Sequence, residues 1–319
     1  MNQALSIAII TKDNPQKLTR CLQSIVQQAV KPHAVLIVDN DKNKTALPVV
    51  KLFQKKLSAV VYIYEPNTTV PGARNMAITR CKTPIIGFTD DDCVLDPSWT
   101  RRAILGLTDP RISYVLGKSL LLNPENIVSQ AFQTRYEYWL SYELKRHGGI
   151  PSPYLMDTKN IAYKKNSLVT SRVCFDPTFQ ISGHDSADTD LGFQLEAKKI
   201  TGTYNPRMVV YHRETPALSL LIKKAYYRGM LAMRLSQKWN LKGEFIHLPD
   251  RRTLYFLRRI KFWPAEFHSM LKDARFGFWK KFVIFFLIKL HDFIFLRGFL
   301  RQAAILNVDV EWYSSKIDT

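Results

Sequence analysis

Three consecutive carboxylates, Asp90-Asp91-Asp92, close a short apolar run, Pro84-Ile85-Ile86-Gly87-Phe88-Thr89. Adjacent carboxylates cannot neutralise one another. Unless a cation or several donors meet them, repulsion and partial desolvation raise their pKa values and cost stability. Alternate residues of an extended segment share a face, so Asp90 and Asp92 point one way and Asp91 turns aside. Oxygen ligands at that spacing suit a hard divalent cation, Mn²⁺ or Mg²⁺, with a diphosphate as further ligand. Taken alone, a solvated acidic turn has the same composition. Further acids shift the balance: Asp39 also ends an apolar run, Ala34–Val38, and Asp188 and Asp190 stand ahead of Leu191 and Leu195. Near a helix start such acids serve as caps or as chemistry, and their types do not separate the two.

The elements needed to position these groups are legible along the first half. Ser6–Thr11 is a buried-strand run, and Asp13-Asn14-Pro15 supplies a turn and helix start. Leu18, Cys21, Leu22 and Ile25 then recur at helical spacing. A second strand ends on Asp39-Asn40; a helix around Leu47–Leu57, a third strand at Ala59–Tyr64 and a helix through Arg74–Arg80 precede the strand that ends on the triplet. Strands separated by helices imply a mostly parallel, doubly wound sheet, whose ligands bind outside the strand carboxyl ends. Asp39 and Asp90–Asp92 both fall there.

Read together, these stretches resemble glycosyltransferase family 2, the inverting nucleotide-sugar enzymes of GT-A fold, over about residues 5–230. Thr11-Lys12-Asp13-Asn14 sits where the family has its nucleotide-facing loop, which places Thr11 and Asp13 on the donor. Val38-Asp39-Asn40 is similar to its Val-Asp-Asp, so the resemblance implies that Asp39 receives the base, with Asn40 in place of the second acid. Pro71-Gly72-Ala73-Arg74-Asn75 resembles the segment beside the diphosphate-sugar, which makes Arg74 and Asn75 donor contacts. Asp90-Asp91-Asp92 matches the metal-binding DxD: Asp92 holds the ion, Asp90 reaches it directly, through a metal water or through the ribose, and Asp91 lies on the donor side. Asn160-Ile161-Ala162-Tyr163 is similar to the strand before the acceptor pocket. Ala187-Asp188-Thr189-Asp190-Leu191-Gly192 resembles Glu-Asp-x-Asp-Leu-Gly, which implies Asp188 as general base, with Asp190 as its rival and an acceptor contact; Ala187 replaces the preceding acid. Val210-Tyr211-His212-Arg213 looks like the strand end whose His approaches metal and diphosphate.

The implied fold is α/β of GT-A type: a mostly parallel doubly wound sheet with a helical, basic and aromatic C-terminal appendage. Residues 1–216 form the catalytic domain, its nucleotide half about 1–112 and its acceptor half about 113–216, and residues 217–319 form a membrane-association region. Acceptor contacts are expected around Tyr136–Tyr154. The implied reaction moves one sugar from a nucleotide-diphosphate donor, UDP-linked as first expectation, to a lipid-linked or cell-surface polysaccharide. The processive branch carries Gln-x-x-Arg-Trp, whereas Tyr226-Tyr227-Arg228-Gly229-Met230 here is different.

The formal charge is +19, and Ala217–Thr319 holds 19 basic against 8 acidic residues. Aromatics sit inside those basic runs, at Tyr255–Trp263 and Phe276–Phe282, which suits an anionic membrane surface better than a specific nucleic-acid site. Lys281, Lys289 and Asp292 share one helix side with Phe285 and Ile288, an imperfect amphipathic face. A dimer interface would use the same residues, so a homo-oligomer stays open. Leu5–Ile10 lacks the basic leader of a signal peptide, and Cys21, Cys81, Cys93 and Cys174 form no CxxC pair. The expected location is cytoplasmic, peripheral to the inner face of the plasma membrane. Two other readings fit the residues less well. Sugar-phosphate nucleotidyl transfer wants a Gly-rich, Lys-bearing loop where this chain has Thr11–Gln16, and a basic membrane- or RNA-binding module leaves the ordered acids without a purpose.

Overall fold

The structure, a computed structural model, describes residues 4–57, 59–214, 217–241, 267–268 and 270–308. The chain divides into two compact units: Met1–Asn123 with Tyr136–Glu214, and Pro124–Arg135 with Thr215–Thr319.

The first unit opens with β1 (Leu5–Thr11), α1 (Pro15–Val26), β2 (Ala34–Asp39), α2 (Leu47–Phe53), β3 (Val60–Tyr64), α3 (Val70–Arg80) and β4 (Ile85–Asp90). After β5 (Cys93–Leu95), α4 (Trp99–Gly106) and β6 (Tyr114–Leu121) comes α5 (Ile127–Arg146), whose first turns belong to the second unit. Then follow β7 (Ile161–Lys164), α6 (Lys165–Thr170), β8 (Gln180–Ile181), β9 (His184–Asp185), α7 (Ala187–Ala197) and β10 (Gly202–His212). Eight strands form one sheet in the order β3-β2-β1-β4-β7-β6-β10-β5. Within it β7 runs against its neighbours β4 and β6, and β5 runs against β10; the other pairings are parallel.

Burial explains the sequence of the central strands. Ile7 and Ile9 of β1, Val35 and Ile37 of β2 and Ile85 of β4 pack with Leu18, Leu22 and Ile25 of α1. Strands covered on both faces read as continuous apolar runs, which is what these are. Gly87 interrupts β4 because Trp99 lies across it: a Cβ there would stand 2.5 Å from the indole Cη2. The register then sets the level of the acids. Thr11 pairs with Asp39 across β1 and β2, and Ile10 with Asp90 across β1 and β4, so three polar groups finish their strands at one edge.

The second unit contains α8 (Leu218–Trp239) and α9 (Phe278–Ile305). They cross at paired glycines: a Cβ on Gly229 would stand 1.9 Å from Phe295 O, and one on Gly298 the same distance from Tyr226 O. The basic-aromatic run Tyr255–Trp263 lies outside the described residues. The expected polar face of α9 is corrected by the packing. Lys281 is buried and donates to Leu271 O at 2.6 Å, while Asp292 takes Arg135 at 3.1 Å and Lys289 at 3.8 Å. Lys281, Lys289 and Asp292 therefore face inward, where they satisfy one another and the backbone. No helix of the described residues is long and apolar enough to cross a membrane.

Candidate active site

The triplet is divided by the turn that follows β4. Asp91 accepts from Thr11 Oγ1 at 2.6 Å and is thereby drawn away from its neighbours. Asp90 and Asp92 converge instead with His212, and one ligand atom from each of the three lies within 4.8 Å of the others. His212 arrives by pairing: it stands opposite Cys93 across β10 and β5, one residue beyond Asp92. Its Nε2 lies 3.2 Å from Asp92 Oδ1, and its Nδ1 3.7 Å from a Glu214 carboxylate oxygen. Lys17 of α1 reaches Asp92 Oδ2 at 3.5 Å.

The electrostatics of these acids are uneven. Burial and the Asp92 charge push Asp90 up to about 6, and burial pushes Asp91 up to about 7 against the Thr11 hydrogen bond. Against the upward push of burial, His212 and Lys17 hold Asp92 below the ordinary carboxylate range. Asp92 Oδ1 is buried and meets the His212 imidazole. Two carboxylates and an imidazole so gathered form a donor set that fits a divalent cation such as Mn²⁺ or Mg²⁺.

Asp188 stands in the first turn of α7 and accepts from Thr189 N at 2.8 Å. Burial and the neighbouring Asp185 push it up to about 7, with Asp157 adding to the rise and Arg74 opposing it. Arg74, on α3, donates through Nη1 to Asp185 Oδ1 at 2.7 Å and lies over the Phe175 ring. Burial works against the charge of Arg74, yet Asp185, Asp188 and Asp90 outweigh it and keep the guanidinium cationic. Its partner is set by the β8–β9 hairpin, whose two-residue turn Ser182-Gly183 has positive φ at both positions, 49° and 80°. Such turns match the twist of the strands they join. Gln180 of the same hairpin accepts from Val70 N at 2.8 Å, and Asn75 exchanges hydrogen bonds with both backbone groups of Phe175. Helix α3 is thus tied to the segment that leads into Asp188.

Other expected residues differ in burial and in the partners that they already hold. Asp39 is fully buried, accepting from Tyr62 Oη at 2.8 Å and from Asp41 N at 2.9 Å. Asp13 is exposed, in a left-handed backbone conformation at φ 53°. Asp190 is fully buried and accepts from Gln194 Nε2 one turn along its own helix. Asn160, expected at the acceptor pocket, is a fully buried cross-brace. It accepts from Trp99 Nε1 and donates to Lys118 O and Met208 O, so α4, β6 and β10 meet on one amide.

Sequence reasoning missed Asp185, Asp157, Lys159, Lys17 and Glu214. Asp157 and Lys159 form a close ion pair in the turn before β7, and Asp157 lies within electrostatic reach of Asp90, Asp188 and His212. The signal for Asp185 was present: a carboxylate two residues before the position where Ala187 departs from the expected acid pair. On the expected acceptor side, the Trp139 and Tyr142 rings stack at 5.8 Å, and Tyr154 meets Trp139 at 6.3 Å and Phe193 of α7 at 5.1 Å.

A mostly parallel sheet with strand-end acids, a DxD turn and a returning strand that brings a histidine to it defines a glycosyltransferase of GT-A fold. The chain belongs to glycosyl transferase family 2, whose sequence profile matches residues 6–168. It is 24% identical over 131 residues to the hyaluronan synthase of Pasteurella multocida, covering 40% of this chain and 13% of that protein. It is 31% identical over 93 residues to the uncharacterized glycosyltransferase YwdF of Bacillus subtilis (strain 168), covering 29% of this chain and 34% of that one. The matched region thus spans about a third or less of either relative. Among solved structures, the mannosyltransferase PcManGT from Pyrobaculum calidifontis, in complex with GDP-Man and Mn²⁺, superposes with a TM-score of 0.62 at 13% identity, covering 96% of this chain and 87% of that one. TarS of S. aureus follows at 0.52 and 13% identity, covering 92% of this chain and 54% of that one. These likenesses establish the fold.

Proposed function

We propose that the chain moves one sugar, with inversion, from a nucleotide-diphosphate sugar to a hydroxyl of a lipid-linked or cell-surface polysaccharide, with a divalent cation held by Asp90, Asp92 and His212. The observation that carries this reading is the convergence of those three groups at the sheet edge where Thr11 and Asp39 also end. A cation bound there supplies Lewis-acid stabilisation of the charge that builds on a departing diphosphate. The chain's own residues do the rest. Asp39, oriented by Tyr62, receives the base; Arg74 and Asn75, held by Asp185 and Phe175, line the donor side. Asp188 takes the proton of the attacking hydroxyl. Its environment favours the role, because a general base acts best with a pKa close to the working pH. Asp190, engaged by Gln194, is the weaker candidate. Direct displacement assisted by one base inverts the anomeric centre, whereas a retaining mechanism needs a second carboxylate as nucleophile.

The stacked Trp139 and Tyr142 rings, with Tyr154 set edge-on to Trp139 and to Phe193 of α7, offer apolar ring surfaces suited to a glycan. A TarS structure contains UDP and the mannosyltransferase contains GDP-Man, and UDP-linked donors remain the first choice. The protein acts in this reading from the cytoplasmic face of the plasma membrane. Thermal unfolding against a panel of nucleotide sugars, with and without Mn²⁺, tests it, since a ligand that binds only the folded state raises its apparent stability. One donor that stabilises only with the metal is expected, and Asp92→Ala abolishes that shift. A panel without any metal-dependent response defeats the proposal.

A further inference from the structure

Helix α9 is apolar on both sides: Ile284, Leu287, Phe299 and Ala303 are buried in its packing, and several polar groups are buried beside them. Its 28 residues span about 42 Å at 1.5 Å per residue. The inward side carries Lys281, His291 and Gln302, all buried, together with the Arg135–Asp292 pair. Burial holds His291 neutral, down to about 4. The outward side is apolar as well: Trp279 is 78% exposed, Phe286 60%, Phe278 58%, Phe282 54% and Val283 41%. Trp279, Phe282, Val283 and Phe286 recur at spacings of three and four and therefore lie along one stripe. Soluble proteins seldom leave so many contiguous large apolar side chains in water. A helix that buries one apolar side in its own unit and exposes another has a second apolar medium to face.

We infer that this outward stripe of α9 docks in the plane of an anionic lipid bilayer, the rings entering the boundary between headgroups and acyl chains. Two observations choose lipid over a second copy of the chain. Apart from Val283 the stripe is made of Trp and Phe, and bulky rings at headgroup depth are the mark of interfacial helices. Its surroundings are cationic: Lys272 and Lys280 stand near its start, and Arg297 lies about five turns beyond Trp279 on the same side, followed by Arg301. Arg297 and Arg301 are exposed. From Ala274 to Asn307 the only acid is Asp292, which is paired inward. A self-complementary interface would set these cations against their own copies, at a repulsive cost, whereas anionic headgroups neutralise them. The helix lies along the surface and does not cross, because six charged residues interrupt it.

The full chain is mixed with vesicles of phosphatidylcholine alone, or of phosphatidylcholine with one third phosphatidylglycerol, and floated through a density gradient. Flotation with the anionic vesicles only, weakened by raised salt, is expected. The double variant Trp279→Ser, Phe286→Ser lowers binding at least tenfold, and Arg297→Gln, Arg301→Gln abolishes the preference for phosphatidylglycerol. Both pairs are exposed, and unchanged circular dichroism shows that each variant has kept its fold. As a check independent of affinity, brominated lipid quenches part of the tryptophan fluorescence, and Trp279→Phe, which leaves the apolar stripe in place, removes that part. Equal flotation with both vesicle types, retention of binding by the aromatic double variant, or a dimer in light scattering that this variant dissociates without vesicle binding would each overturn the inference.

Discussion

Asp188 sits between opposed charges: Asp185 and Asp157 push its proton affinity up, Arg74 pulls it down, and the buried Tyr163 hydroxyl lies within reach of the same field. Asp188→Asn is expected to keep donor binding and to lose about 10²–10⁴ in kcat, the usual range for a general base. With Asp188 at about 7, wild-type kcat/KM falls about tenfold per pH unit below that value, because the protonated carboxyl cannot accept. Asp185→Asn removes a negative neighbour and releases Arg74 toward Asp188, so the acid limb moves to lower pH and the plateau drops; an unmoved limb would show that Asp185 only braces the hairpin. The same shift has a thermodynamic sign. A carboxyl whose folded pKa exceeds its unfolded value stabilises the fold least above the folded pKa and loses its contribution progressively between about 4 and about 7. Asp188→Asn therefore melts higher than wild type at pH 8, with the gap closing toward pH 4. The run that holds Asp188 stands out in the chain, and so does the carboxylate at Asp185; what the chain does not reveal is the two-residue turn that folds Asp185 back against Arg74.

The elements divide similarly. Buried parallel strands announce themselves as apolar runs, and their ends carried the acids, so β1, β2 and β4 were readable together with the edge they share. The β8–β9 hairpin was not, since strands of two residues have no period to detect. Asn160 holds a place in the fold that its residue type does not announce. Its type suits a ligand contact, but its position in a mixed sheet, where β7 runs against both neighbours, makes it a bridge for backbone groups that the pairing leaves over. Asn160→Ala is expected to strand the Trp99 N–H and two carbonyls, each at about 1–3 kcal/mol, and to lower the denaturant midpoint more than it alters KM. The crossing of α8 and α9 is tighter still. Gly298→Ala forces a methyl against the Tyr226 carbonyl and should cost about 1–3 kcal/mol or separate the helices, seen as faster amide exchange in both.

Across the whole chain, the surplus of 19 positive charges gives long-range attraction to any polyanion. Binding to random-sequence nucleic acid is expected in dilute buffer and should vanish near 0.2 M salt, because counterion release supplies such binding and nothing described here reads a base sequence. Fluorescence anisotropy with a labelled oligonucleotide measures it; retention of tight binding at that salt would point to a built nucleic-acid site. Composition made the basic tail legible, but not which side of α9 turns outward. Periodicity could not decide this, because both faces of that helix carry bulky apolar residues, and only the partners of Lys281 and Asp292 fix the orientation. The glycine crossing has a mechanical corollary. With backbone on backbone at Gly229 and Gly298, α9 has no freedom to roll about its long axis, so the azimuth of Trp279, five turns upstream, is dictated by two hydrogen atoms standing where side chains would otherwise be.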